Sequence, residues 1–369
     1  MIREGLSRPG VRMAVAVLCG AACACAAGLP YENDYAFGVD ASFVKQRVDQ
    51  GARYTDANEV KTPLQIFRDH GYNWARVHLC NDPVQRLPQT LEYVVAMGRD
   101  IKAQGMRFLL DLMFSNSWAN PMTQPTPSVW VDLTHDQRTA AVREFCRHAI
   151  ASLRDANALP DMVQVGNEIG NGFLWPSGRL WPETDRPSNW SNVADYLKAA
   201  ITGIKEAAGK KTVRIMLHVD HGGDIPLTRG FFDRMREHGV EYDVIGFSFY
   251  PWSHGTLLDL RDNLRFTALR YGKEIIVVET GYHFQPSRYF REVPPPFPET
   301  PEGQRQWLEA VHEIVLDTPN GLGRGVFWWE PMMAGRGYFD REGRVLPIIH
   351  AFERYTRPIR RPDGQNRLQ

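Results

Sequence analysis

The sequence predicts a single (β/α)₈ barrel, and three observations predict it. Eight short runs of apolar, β-branched or aromatic residues recur along the 369 residues. Stretches of helical periodicity fill most of the intervals between them, the pattern of a parallel sheet covered on its outer face. The main competitor, an open doubly wound sheet, would more often have fewer strands and a glycine-rich phosphate turn, and neither G-x-G-x-x-G nor a Walker motif occurs.

The runs are Phe37–Asp40, Trp74–Leu79, Arg107–Met113, Met162–Asn167, Val213–His218, Val244–Phe249, Ile275–Glu279 and Gly325–Trp329. Each is a strand because near-continuous apolar character suits a strand buried on both faces. The intervening helices are Pro63–His70, Thr90–Gln104, Asp136–Leu153, Val193–Ala207, Phe231–His238, Leu257–Tyr271 and Gly303–Leu316. Eight such units fit the length of one barrel. The polar, basic tail from Arg357 to Gln369 is expected to fray.

Residues 1–27 are expected to lie outside the fold, leaving 28–369 as one catalytic domain. Arg3, Arg8 and Arg12 form a positive n-region, and Met13–Leu18 begins an apolar stretch. A-x-A sites ending at Ala24 and Ala26 follow. This reads as a secretory signal peptide and predicts a secreted or periplasmic protein. It is too short for a membrane-spanning helix, and the residues before Cys23 and Cys25 match a lipobox poorly. Cys80 and Cys146 remain after cleavage; export permits a disulfide, but two buried free thiols are favoured.

Lys plus Arg and Asp plus Glu are 43 each, so net charge gives no reason to expect nucleic acid or an anionic membrane as partner. Ten Trp and thirteen Tyr suit a sugar-binding cleft, although any single ring more often belongs to the core. No CxxC, Cys/His cluster or dense Asp/Asn run appears, so neither cofactor nor obligatory metal is expected.

In a barrel every strand delivers its last residues to one rim. The fourth strand ends Val163-Gln164-Val165-Gly166-Asn167-Glu168, and the seventh ends Ile276-Val277-Val278-Glu279. A carboxylate directly after such a run is costly to bury without a partner. Strands four and seven face each other across the barrel, so Glu168 and Glu279 can approach over its mouth. Two facing carboxylates are what glycoside hydrolysis needs. Their repulsion and partial desolvation would raise one pKa and leave an acid and a base at one pH. A single such Glu would more often be structural; two are harder to explain that way.

The segment Met162–Ile169, followed by Gly172-Phe173-Leu174-Trp175-Pro176, and the segment Val277-Val278-Glu279-Thr280-Gly281-Tyr282 resemble the two catalytic strands of family 53 glycoside hydrolases, the endo-β-1,4-galactanases acting on arabinogalactan. The resemblance continues through Phe37–Ser42 with Asp40, Ala75–Leu79, Trp118-Ala119-Asn120-Pro121, Tyr242–Pro251, His254-Gly255-Thr256-Leu257 and Gly325–Pro331. It implies a monomeric retaining hydrolase of a polysaccharide or oligosaccharide. Glu168 would be acid/base and Glu279 nucleophile. Asn167 would bond the sugar 2-hydroxyl, and Arg76 and Tyr250 would hold the nucleophile. Trp329 would be the platform under the reacting sugar, with Trp118, Asp40, His254 and Trp175 as further substrate-binding or supporting residues.

The chain departs from the family after the third strand. Met113, Phe114 and Asn116 stand where the family has His, Tyr and Asp, and Cys80 stands where it has an aromatic residue. Losing three polar groups near one subsite leaves a second reading open, a retaining glycanase or glycosidase of the same clan acting on another β-linked sugar. A barrel that binds glycan without cutting it is a third, although a binder has no need of two adjacent carboxylates.

Overall fold

The computed structural model describes residues 35–84, 87–180, 187–353, 355, 359–360 and 366–367. The proposed leader, 1–27, lies outside them. Eight parallel strands close a barrel: β1 (Ala36–Asp40), β2 (Trp74–Cys80), β3 (Arg107–Met113), β4 (Met162–Val165), β5 (Arg214–Val219), β6 (Val244–Phe249), β7 (Glu274–Thr280) and β8 (Gly323–Trp328). Each pairs with its neighbour in sequence, and β8 pairs with β1 to close the ring. All eight predicted strands are present, two with the predicted ends and the others with ends shifted by no more than two residues.

The helices are α1 (Val44–Asp49), α2 (Pro63–Asp69), α3 (Leu91–Ala103), α4 (His135–Asp155), α5 (Pro187–Ala208), α6 (Ile225–Glu237), α7 (Leu257–Tyr271) and α8 (Pro301–Leu316). Their starts are written in the sequence. Thr62, Thr134 and Thr256 close reciprocal capping boxes with Gln65, Gln137 and Asp259, and Thr90, Asp224 and Thr300 cap the first turns of three more. Each cap satisfies backbone donors that the first turn leaves unpaired. Helix α1 and a small hairpin, Tyr54–Asp56 with Glu59–Lys61, were not predicted. Both are too short to show periodicity. Within the tail, of which most lies outside the described residues, Ile359–Arg360 pairs with Asn366–Arg367.

Two apolar layers hold the barrel. Residues facing outward from the strands pack against the helices. Inside, Ala36, Trp74, Leu109, Met162, Met216, Val244, Ile276, Val278 and Phe327 plug the lumen from every strand. Phe327 fills the centre because Gly38 leaves room for it: a Cβ on Gly38 would sit 2.3 Å from the Phe327 ring. Above this plug the inward positions turn polar, with Asp40, Arg76, His78, Asp111, Gln164, His218 and Ser248 all buried. Alternation places them: on β2, Trp74, Arg76 and His78 share one face.

One strand breaks the alternation. Along β7, Phe247 of β6 pairs with Val277 but the next residue, Ser248, pairs with Glu279, skipping Val278. The partner on the other side shows the same extra residue, Val326 and Trp328 facing Val277 and Thr280. This β-bulge lets two successive residues face inward. Val278 joins the plug, and Glu279 turns into the lumen above it.

Candidate active site

Arg76 organises the polar layer. It is fully buried, and its guanidinium reaches five groups. Nη1 donates to Glu279 Oε1 at 2.7 Å and Asp40 Oδ2 at 3.3 Å; Nη2 donates to Asn167 Oδ1 at 2.8 Å and Asp111 Oδ2 at 3.0 Å; Nε donates to Gln164 Oε1 at 3.1 Å. A buried cation with three carboxylates around it has its desolvation offset by its partners. His78 lies 2.9 Å from Asp40 Oδ2 through Nε2 and 3.0 Å from Asp111 Oδ2 through Nδ1, the latter outside hydrogen-bonding geometry. Burial and Arg76 push the His78 pKa down, but Asp40 and Asp111 outweigh them and it stands above its ordinary value. Burial would raise Asp40, yet His78 and Arg76 hold it below the usual carboxylate range.

Glu279 ends in this layer, accepting from Arg76 on Oε1 and from the Tyr250 hydroxyl on Oε2 at 3.0 Å. Tyr250 stays a donor, because burial and then the charge of Glu279 push its pKa well up. Glu168 arrives from β4 by a different route. Gly166 and Glu168 both have positive φ, 91° and 50°, and for Glu this left-handed conformation is strained. The turn brings its carboxylate to Ser248, whose hydroxyl donates to Glu168 Oε1 at 2.7 Å and lies 3.4 Å from Glu279 Oε2. Those two carboxylate oxygens are therefore separated by no more than the two contacts end to end, about 6 Å. Retaining glycosidases place their carboxyls about 5–5.5 Å apart, and inverting ones leave more room.

The two acids have different surroundings. Burial, then Glu279, then Asp220 push the Glu168 pKa well above the ordinary value, against the pull of Ser248 and Arg76. Ser248 is itself oriented. His218 Nδ1 takes hydrogen bonds from Gln164 Nε2 at 2.9 Å and from the Glu168 backbone N–H at 3.2 Å. Its proton is thus on Nε2, 2.9 Å from Ser248 Oγ. Burial, with Arg76 and His78 nearby, drives the His218 pKa well down, so the ring is neutral.

Most residues read from the sequence meet here. Glu168, Glu279, Asn167, Tyr250, Trp329 and Trp118 line one pocket. Trp118, His78 and Trp329 cluster together, with centroids 4.7 Å apart for Trp118 and His78 and 5.2 Å for each of the other two pairs. Arg76 and Asp40 lie beneath the pocket as supports. His254 sits behind Tyr250, its Nδ1 3.0 Å from the Ser248 carbonyl, and burial followed by His221 takes its pKa down to about 4. Trp175 is not brought in. Its Nε1 donates to the Asn171 carbonyl, and its ring lies under Arg179.

The departures after the third strand are not in the pocket wall either. Phe114 packs between Phe145 and Phe173, and Met113 with Cys80 and Ala119 forms a small apolar cluster behind Trp118. Asn116 ties loops together through the carbonyls of Asn81 and Asp82 and the N–H of Ser128. None of the three lines the pocket that holds the two carboxylates. Cys80 and Cys146 are buried free thiols.

Sequence reasoning missed Trp252, Tyr289 and Arg336 in the pocket wall, and Gln124, which donates to the Asn167 carbonyl at 2.7 Å. It also missed the lumen residues Asp111, Gln164, His218 and Ser248. Their signal was a lone polar residue near the end of each apolar run.

The model of the glycosyl hydrolase family 53 matches residues 36–352. An arabinogalactan endo-beta-1,4-galactanase of Thermothelomyces thermophilus is 30% identical over 337 residues, covering 86% of this chain and 98% of the relative. A Niallia circulans protein described by its place in the bgaB 5′ region is 39% identical over 311 residues, 81% of this chain and 84% of the relative. The family 53 catalytic domain of Ignisphaera aggregans superposes with a TM-score of 0.80 at 30% identity, covering 88% of this chain and 97% of that one. With the barrel, the paired carboxylates and these similarities together, the chain belongs to glycosyl hydrolase family 53 and is a glycoside hydrolase.

Proposed function

We propose that the enzyme hydrolyses β-1,4-galactosidic linkages in galactan or arabinogalactan with retention of configuration. The observation that carries the retaining reading is the shared Ser248 contact, which keeps the two carboxylates within the short separation of a double displacement. The substrate reading is supported by the relatives described as galactanases. Of the residues that depart from the family pattern, Met113 and Cys80 lie behind Trp118, and neither Phe114 nor Asn116 lines the pocket.

Glu279, ionised and held by Arg76 and Tyr250, attacks C1. Glu168, kept protonated by burial and by the charge of Glu279, gives its proton to the leaving oxygen. Ser248 occupies Oε1 of Glu168, which favours the proton on Oε2, the oxygen left for the substrate. The covalent glycosyl–enzyme on Glu279 is then released by water, deprotonated by the Glu168 carboxylate. Asn167, with Oδ1 fixed by Arg76 and Nδ2 donating to Ala119 O, has an amide proton left for the 2-hydroxyl. Trp329 supplies the platform under the sugar.

The test is Glu168→Gln and Glu279→Gln on β-1,4-galactan, with the anomer of the first product followed by NMR. Loss of hydrolysis in both folded variants, and a β product from the wild type, is expected; an α product or an active variant overturns the mechanism. A galactan left intact by a wild type that cuts another β-glycan overturns the substrate. No helix among the described residues is long and apolar enough to cross a membrane. The charge and hydrophobicity of residues 1–27 support export.

A further inference from the structure

One cation in the pocket has no role in the reaction described above. Arg336 follows β8 and lines the same pocket as Glu279 and Trp329. It lies on the nucleophile's side: a Cβ built on Gly281, two residues past Glu279, would come within 3.8 Å of its Nη1. Only 9% of the residue is exposed. A guanidinium stays charged at any pH an enzyme meets, and burying it without an anion is costly.

Arg336 is nevertheless without an anionic partner among the described residues. Its Nε meets only the Met333 sulfur, at 2.9 Å. Its guanidinium carbon lies 5.8 Å from the Tyr250 ring centroid and 5.7 Å from that of Trp252. Two aromatic faces recover part of the desolvation cost through the cation–π attraction, and they also fix the direction of the fork. Glu330 is an acid near enough to feel its charge. Burial lifts the Glu330 pKa to about 8, so it is mostly neutral at pH 7 and does not balance Arg336. The two terminal nitrogens have no hydrogen-bond partner among the described residues and adjoin the pocket.

We propose that Arg336 is a specificity residue that receives the carboxylate of a uronic acid beside the scissile bond, so that the preferred substrate is a β-linked galactan chain carrying a hexuronic acid. The proposal rests on the galactan reading above. A fork of parallel N–H donors matches a carboxylate bidentately, which no neutral sugar hydroxyl does. Glu279 has its own cation in Arg76, which leaves the Arg336 charge to the ligand.

The experiment compares kcat/KM on β-1,4-galactotetraose and on an oligosaccharide of the same length ending in a hexuronic acid, for wild type, Arg336→Met and Arg336→Lys. Wild type is expected to use the uronate at least as well as the neutral chain. In Arg336→Met the uronate is expected to lose about 30-fold, the scale of a charge-assisted bond. The neutral chain should lose about 3-fold through lost packing on Trp252. Lys keeps the charge without the fork and should fall between. Equal losses on both substrates, or a wild type that disfavours the uronate more than about tenfold, overturn the assignment. If Arg336→Met does not fold, unchanged selectivity in Arg336→Lys overturns it alone. If the wild type cleaves neither chain, the galactan reading fails by itself. Calorimetric titration with the uronate oligosaccharide then decides for Arg336: binding lost in the variants supports it, and absent or unaltered binding overturns it.

Discussion

Ser248→Ala tests the polar relay most sharply, because it removes one oxygen with three contacts. Two consequences follow from the geometry. The buried N–H of His218 loses its acceptor, since Nδ1 is engaged and only Nε2 carries a proton. An orphaned buried donor costs about 1–3 kcal/mol. For a domain of this size that corresponds to a fall in Tm of about 1–4 °C. The second consequence concerns protonation. The Ser248 hydroxyl stabilises the ionised form of Glu168 and so pulls its pKa down. Without it the pKa rises further, and the alkaline limb of kcat/KM, which follows loss of the Glu168 proton, moves to higher pH. At the optimum the rate falls about tenfold, as a bond to a carboxylate of about 1.5–3 kcal/mol is partly replaced by water. The assay is a pH series of kcat/KM on soluble galactan beside a thermal scan. An alkaline limb that stays in place, or moves to lower pH, refutes the reasoning even if activity falls.

Other substitutions probe separate parts of the molecule. Tyr250→Phe removes one donor from Glu279 and should lower kcat/KM about 10–100-fold with little change in Tm, checked by steady-state kinetics. Gly38→Ala drives a methyl into the Phe327 ring and should cost about 1–3 kcal/mol by chemical denaturation; Phe327→Leu in the same chain should recover part of that. Glu330 has a folded pKa of about 8, above its unfolded value. Its contribution is therefore complete at low pH and is lost as pH rises toward 8. Glu330→Gln should leave Tm unchanged near pH 4 and raise it at pH 8, and an equal effect at both pH values would count against the buried neutral acid.

The barrel was legible because both its layers are apolar, so the strands stand out as runs such as Ile275–Val278. Helix α1 and the hairpin after it were not, since stability there comes from contacts with distant residues: Thr55 exchanges backbone hydrogen bonds with Gly343 and Val345. At the site, Glu168 and Glu279 could be placed from their positions at strand ends, and Asn167 and Arg76 from the resemblance to family 53. The relay could not. Ser248 and His218 are single polar residues inside apolar strands, and only the closed ring brings them together. Trp175 lies apart from the pocket that holds the two carboxylates. Its place after β4 suggested the cleft, but its indole N–H bonds back to its own loop. Arg336 sits in a glycine-rich turn that carries no periodicity at all, so nothing local distinguished it from a surface cation.

The extra residue at Val278 makes catalysis depend on parity. Counting along β7 from the plug, an even strand would send Glu279 outward among the helices and Thr280 inward. Val278 offsets the count by one. The nucleophile is thus specified by arithmetic along the strand as much as by its chemistry. Pairing β7 without the bulge, Val278 kept, would leave every catalytic side chain in the sequence, and a barrel could still close. Its acid would then face a lumen with no nucleophile, a failure that inspection of the motif alone would never reveal.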